Sequence, residues 1–121
     1  MFRMTIDEEQ KLVEVQITGL VKAEEALRAS NELKKTFLKF GPRQALLLVD
    51  LVGFTPMAND VLPILRGMGR DVLTFFRKAA LIQEFSMGYQ GGRKVIEPPP
   101  GMPLPSYRTR EEALAYLMEE P

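Results

Sequence analysis

Over the first eighteen residues apolar and polar positions alternate. Phe2, Met4 and Ile6 are interleaved with Arg3 and Thr5, and Asp7-Glu8-Glu9-Gln10 supplies a polar turn. Val13, Val15 and Ile17 are then interleaved with Glu14, Gln16 and Thr18, and Gly19 closes the run. A period of two on both sides of a polar turn predicts an antiparallel hairpin with one face on the core. From about residue 22 to 39 the period becomes helical. Ala23, Ala26, Leu27, Ser30, Leu33 and Phe37 fall on the predicted inner face, with Glu24, Glu25, Arg28, Glu32 and Lys35 outside. Gly41-Pro42 predicts the helix stop.

Residues Ala45 to Leu51 break both periods. Ala45-Leu46-Leu47-Leu48-Val49 is apolar without interruption, then comes Asp50. A continuous apolar run predicts a strand buried on both faces, inside a parallel or mixed sheet. Ligands and partners of such sheets meet the protein beyond the carboxyl ends of the strands, which marks Asp50 to Thr55 as the expected working surface. A second helix is predicted from Pro56 to about Phe76, with Thr55 as N-cap and Pro56 at the first helical position. Its apolar stripe is Met57, Val61, Ile64, Leu65, Met68, Val72, Phe75 and Phe76; Pro63 predicts a kink or fresh start, and Gly67 and Gly69 loosen the same region. Arg66, Arg70 and Arg77 read as its solvated face.

Ala79 to Met87 predicts another strand, and Gly88 to Lys94 a glycine-rich solvated connection. The run from Glu97 to Pro105 must be extended, because its prolines exclude helix and central strand. Leu104 to Tyr107 predicts a short last strand. Thr109-Arg110-Glu111-Glu112 matches a capping box, opening a final helix with Ala113, Leu114, Tyr116 and Leu117 on its apolar stripe. Strand, strand, helix, strand, helix, strand, short strand, helix is the order of an α/β fold: a mixed sheet with an N-terminal antiparallel hairpin and helices packed on it.

Composition narrows the chemistry. The 121 residues fit a single domain, 1–121, and 45% are hydrophobic. Sixteen basic and sixteen acidic residues cancel, which speaks against a nucleic-acid partner. There is no histidine, cysteine or tryptophan. The usual zinc, iron–sulfur and haem-histidine sites, and Ser-His-Asp or Cys-His catalysis, therefore cannot be assembled from this chain alone. No carboxylate cluster has metal-binding spacing, and neither a phosphate-binding loop nor a dinucleotide fingerprint occurs. No metal or cofactor is expected. The absence of a signal-like apolar core and of a membrane-spanning run makes a soluble, cytoplasmic protein the expectation.

Val15-Gln16-Ile17-Thr18-Gly19, Leu46-Leu47-Leu48-Val49-Asp50-Leu51 with Gly53-Phe54 and Thr55-Pro56, and the ending Tyr107-Arg108-Thr109-Arg110-Glu111-Glu112-Ala113-Leu114-Ala115-Tyr116-Leu117 stand in an order and spacing that resembles the STAS superfamily. The likeness is to the branch similar to the sporulation anti-sigma-factor antagonist, grouped with Sec14-type lipid-transfer domains. It implies a STAS-like fold and a bacterial, non-enzymatic module that binds another protein or a small apolar ligand. The protein-binding reading places the partner surface on Asp50, Gly53, Phe54, Thr55 and Met57. The resemblance also implies a phosphorylatable serine or threonine near the start of the second helix, where added negative charge meets the helix N-terminus. The matching serine is missing; Thr55 is the nearby candidate phosphosite, but Pro56 removes one amide that would meet the phosphate, and a plain N-cap is the preferred reading. Asp50 has a structural reading too, accepting amide hydrogens from the turn after its strand. The alternative function is a lipid or other apolar ligand held in a cavity under the second helix by residues such as Val61, Ile64, Met68 and Phe75. Monomer and homodimer are both compatible with the sequence, the latter through the edge of the hairpin.

Overall fold

The computed structural model describes residues 2–19, 22–51, 63, 64, 67, 75–83, 89, 90, 93, 94, 101 and 103–119, with the backbone alone at 37, 38, 89, 90, 93 and 94. Five strands form one sheet in the order β1-β2-β3-β4-β7: β1 is Phe2–Asp7, β2 Leu12–Ile17, β3 Leu46–Asp50, β4 Lys78–Ile82 and β7 Ser106–Tyr107. β1 and β2 are antiparallel, whereas β2, β3, β4 and β7 run parallel to one another. The expected mixed sheet with an N-terminal hairpin is the architecture observed. Helix α1 is Ala23–Phe40 and helix α2, at the end of the chain, is Arg110–Met118. Pro63, Ile64 and Gly67 are also helical.

Side-chain parity along the strands builds two cores. Val13, Val15, Ile17, Leu47, Val49, Leu51, Ala79 and Leu81 point to one face, where they pack with Ala26 and Leu33 of α1 and with Ile64. Leu12, Leu46, Leu48, Ala80 and Ile82 point to the other, where Ala113 and Leu117 of α2 cover them. β3 therefore has a packed layer on both sides, as its unbroken apolar run requires. Helix α1, which links β2 to β3, and Ile64, which lies between β3 and β4, pack on the same face, as a steadily advancing strand order with one hand of crossover demands.

The β1–β2 turn is built from Glu8 to Lys11: the Asp7 carboxylate accepts from the Gln10 amide at 3.1 Å, and Lys11 takes a left-handed φ of 55°. Gly41 ends α1 with φ 84°, the left-handed position that a glycine after the last helical turn supplies. At α2 the expected N-cap forms. The Thr109 hydroxyl accepts from the Glu112 amide at 3.2 Å and donates to the Glu112 carboxylate at 3.1 Å. Lys78, first residue of β4, donates to the Tyr116 and Glu119 carbonyls at 3.2 and 2.9 Å and lies 4.8 Å from the Tyr116 ring centre. A cation at the last carbonyls of a helix satisfies them and opposes the helix dipole.

Two expectations need correction. The buried stripe of α1 runs through Ala26, Ala29, Leu33 and Thr36, which leaves Leu27 53% exposed rather than inside. Glu25 is not a solvated outer residue: it is half-buried, and its carboxylate accepts from the Phe2 amide at 2.9 Å. Phe75 is still in a helical turn, close to the expected end of the second helix at about Phe76, and residues 76–77 bend into β4, with the Arg43 amide donating to the Phe75 carbonyl and the Arg77 amide to the Ala45 carbonyl. β4 is Lys78–Ile82 and Gln83 is not strand, while the rest of the predicted strand, 84–87, lies outside the described residues. Within the predicted glycine-rich connection, β5 (Tyr89–Gln90) and β6 (Arg93–Lys94) pair antiparallel across Gly91-Gly92, a two-residue spacing and composition that favour a tight hairpin.

Candidate functional site

Because β2, β3, β4 and β7 are parallel and in register, their carboxyl ends form one rim. Gln16 on β2 is level with Asp50, Asp50 with Ile82, and Ile82 with Tyr107. Asp50 shares the parity of Leu46 and Leu48, so it stands on the α2 face of the sheet at the point where the apolar run ends. It is half-buried and engaged within the fold. Leu51 turns to the opposite face and is 1% exposed, and its amide donates to the Ile82 carbonyl at 2.8 Å. That bond carries the ladder one residue beyond Asp50.

Two residues that the sequence reading did not single out share this rim. The Gln83 amide donates to the Tyr107 carbonyl at 2.9 Å, and its side-chain Nε2 donates to Ser106 Oγ at 2.7 Å. Gln83 Oε1 is buried without a hydrogen-bond partner among the described residues. The sequence does carry a signal for it. Gln83 is the first polar residue after the apolar run Ala79 to Ile82, just as Asp50 is the first after Leu46 to Val49.

Of the expected site residues, Asp50, Ile64 and Phe75 are described. Ile64 is helical, partly buried and packed against the α1-side core, while Phe75 is 42% exposed at the opposite, amino-terminal end of β4. Gly53, Phe54, Thr55, Met57, Val61 and Met68 lie outside the described residues. Among the described residues no group of three or more Asp and Glu side chains could hold a metal ion, and no helix is long and apolar enough to cross a membrane. Among the described residues, the rim brings together one engaged carboxylate, Asp50, with the amide side chain of Gln83 and the hydroxyl of Ser106.

No family model matches the sequence, and no curated protein does. Solved structures do match. An uncharacterized protein of the DUF3478 family with a SpoIIAA-like fold, from Shewanella loihica PV-4, is 12% identical with a TM-score of 0.70 over 97% of this chain and 92% of its own. An anti-sigma factor antagonist from Mycobacterium paratuberculosis is 13% identical with a TM-score of 0.57 over 98% of this chain and 96% of its own. The chain has a STAS-like fold.

Proposed function

We propose that this STAS-fold chain is a non-enzymatic regulatory module that binds another protein through the turn after β3 and the start of the helix that follows. Asp50, Gly53, Phe54, Thr55 and Met57 are the proposed contact residues. The observation that carries this reading is the rim itself: four parallel strands end together, and Asp50 is held at the last position of β3, whose other four residues are buried. A turn leaving such a strand starts from a rigid, packed base, which lowers the ordering cost of binding. The fold similarity to an anti-sigma factor antagonist supports a regulatory role of this kind. Thr55 remains the candidate for a phosphate switch within the same surface, with its N-cap role as the simpler assignment.

The test compares partner capture from extracts of the source cells by wild type and by a Gly53→Arg, Met57→Asp variant, both checked for folding by circular dichroism. A partner held by the wild type and lost by the variant supports the surface. Recovery of every partner equally by both would sink it. Native mass spectrometry addresses the apolar-ligand alternative: the mass of the protein alone is expected, and a stoichiometric co-purifying lipid would overturn the protein-binding assignment in favour of that reading.

A further inference from the structure

The sheet has two edges, and they are built differently. β7 is two residues long, and Pro103 and Pro105 stand just before it, which is how natural sheets blunt an edge against pairing. β1 is six residues long, contains neither proline nor glycine, and has no second strand neighbour among the described residues. We infer that β1 pairs antiparallel with β1 of a second copy of this chain, centred on Thr5, joining the two five-stranded sheets into one.

Which backbone groups of β1 face outward follows from two independent hydrogen bonds. In an antiparallel pair, residues alternate between those bonded to the partner strand and those whose groups point away. The Lys11 carbonyl accepts from the Leu46 amide at 2.8 Å, so Lys11 points toward β3 and Leu12 toward β1. Leu12 is level with Asp7, which makes Asp7, Thr5 and Arg3 the residues bonded to β2. Phe2, Met4 and Ile6 then direct their amides and carbonyls outward. The second bond agrees: the Phe2 amide donates to the Glu25 carboxylate and not to β2. That carboxylate closes the first outward donor and leaves those of Met4 and Ile6 at the edge.

Outward groups on even-numbered residues restrict self-pairing to registers that match even with even. Centring on Thr5 sets Met4 against Ile6 of the partner subunit, an exchange of two backbone bonds that the two-fold axis repeats. The side chains fit the same register. On the face away from α1, Arg3 stands opposite Asp7 of the partner subunit, Thr5 opposite Thr5 of the partner subunit, and Asp7 opposite Arg3 of the partner subunit. All three residues are exposed; Asp7 accepts the Gln10 amide through Oδ1, and no ion pair of Arg3 or Asp7 forms within the described residues. These would be non-hydrogen-bonded pairs, whose side chains approach closest. On the α1 face, partly buried Met4 meets partly buried Ile6. Shifting the centre to Met4 or Ile6 breaks both Arg3–Asp7 pairs, so charge complementarity selects the Thr5 register.

The test is sedimentation equilibrium with charge variants that repel themselves and attract each other. Wild type is expected to dimerise, more weakly at high salt. Arg3→Asp sets Asp against Asp7 twice, and Asp7→Lys sets Lys against Arg3 twice. Each variant alone is expected to raise the dimer dissociation constant at least about ten-fold. Mixed in equal amounts they regain both opposite-charge pairs and are expected to form a heterodimer near wild-type strength. Wild type that stays monomeric throughout the micromolar range overturns the inference. So does a dimer indifferent to either single variant, or a mixture that fails to associate. Hydrogen exchange on unmodified protein guards against a misfolded variant. The Met4 and Ile6 amides should gain protection as the dimer forms, while the Thr5 amide, bonded to β2, is protected throughout. Rapid exchange at Met4 and Ile6 in a dimeric sample also refutes this edge.

Discussion

Leu48→Ala tests the claim that β3 is packed on both sides. Leu48 has no exposed surface and lies level with Glu14 on β2 and Ala80 on β4, in the cluster closed by Ala113 and Leu117 of α2. Three buried carbons are removed, and at about 0.8 kcal/mol each the transfer loss is ~2.4 kcal/mol. A cavity contribution comes on top, and its size depends on how far the neighbours collapse. Here the residue beside it on β4 is Ala80, and the same cluster includes Ala113; both are short side chains that cannot extend into the hole. The expected loss is therefore in the upper range for such truncations, about 3–4 kcal/mol. That is a large share of the roughly 5–15 kcal/mol that stabilises an ordinary domain. Urea unfolding followed by circular dichroism should show a lower midpoint at an unchanged slope. Leu46→Ala is the internal control, since Leu46 begins the strand, is 6% exposed and has more freedom to adjust. A loss at Leu48 below about 1.5 kcal/mol, or smaller than the loss at Leu46, would refute a two-sided core around β3.

Four further outcomes are expected. Thr109→Ala should cost about 1 kcal/mol in equilibrium unfolding by orphaning the Glu112 amide, and Thr109→Ser should recover most of it. Arg110 holds Glu14 through Nε at 3.0 and 3.2 Å and Nη2 at 2.9 Å, but its side chain is 56% exposed, so a double-mutant cycle to alanine should find a coupling no larger than about 1 kcal/mol that fades with salt. Gly41→Ala should lose about 1–2 kcal/mol from the left-handed φ alone, because the new methyl would meet only Gln44 Cγ at an ordinary 3.8 Å. Burial, then the neighbouring Tyr107 and Glu119, raises the Tyr116 phenol above its ordinary 10.0, so the fold favours the neutral ring. Its stabilising effect is complete below about pH 10 and is lost as pH rises through the raised folded value; Tyr116→Phe should remove that alkaline step from a stability titration.

Where one physical signal dominated a segment, the sequence predicted its structure. The alternation over Phe2 to Ile17 predicted the hairpin, the unbroken run at Leu46 the two-sided strand, and Thr109 with Glu112 the last helix start. The failures lie where tertiary contacts chose between equal local options. Leu27 and Ala29 both lie near the apolar side of α1, and close packing on the sheet took the smaller residue. Glu25 reads as solvent-facing until β1 brings the Phe2 amide beside it, twenty-three positions away in the chain. For the rim, the first polar residue after each buried run was the usable signal; it was recognised at Asp50 and missed at Gln83.

The two proposed surfaces occupy different parts of the same sheet, and the topology makes them compatible. β1 is antiparallel to β2, β3, β4 and β7. Pairing β1 antiparallel with its copy therefore reverses the direction of all four parallel strands between protomers. The two rims would then point to opposite ends of the joined sheet, each with its Asp50 turn facing away from the two-fold axis. An Arg3→Asp protein should bind a partner through that turn with wild-type affinity per chain, while a Gly53→Arg, Met57→Asp protein should dimerise normally. Isothermal titration of a captured partner against both proteins separates the two ideas. Loss of partner binding on breaking the dimer would mean that the rim is incomplete within one chain, and independence of the two surfaces would have to be abandoned.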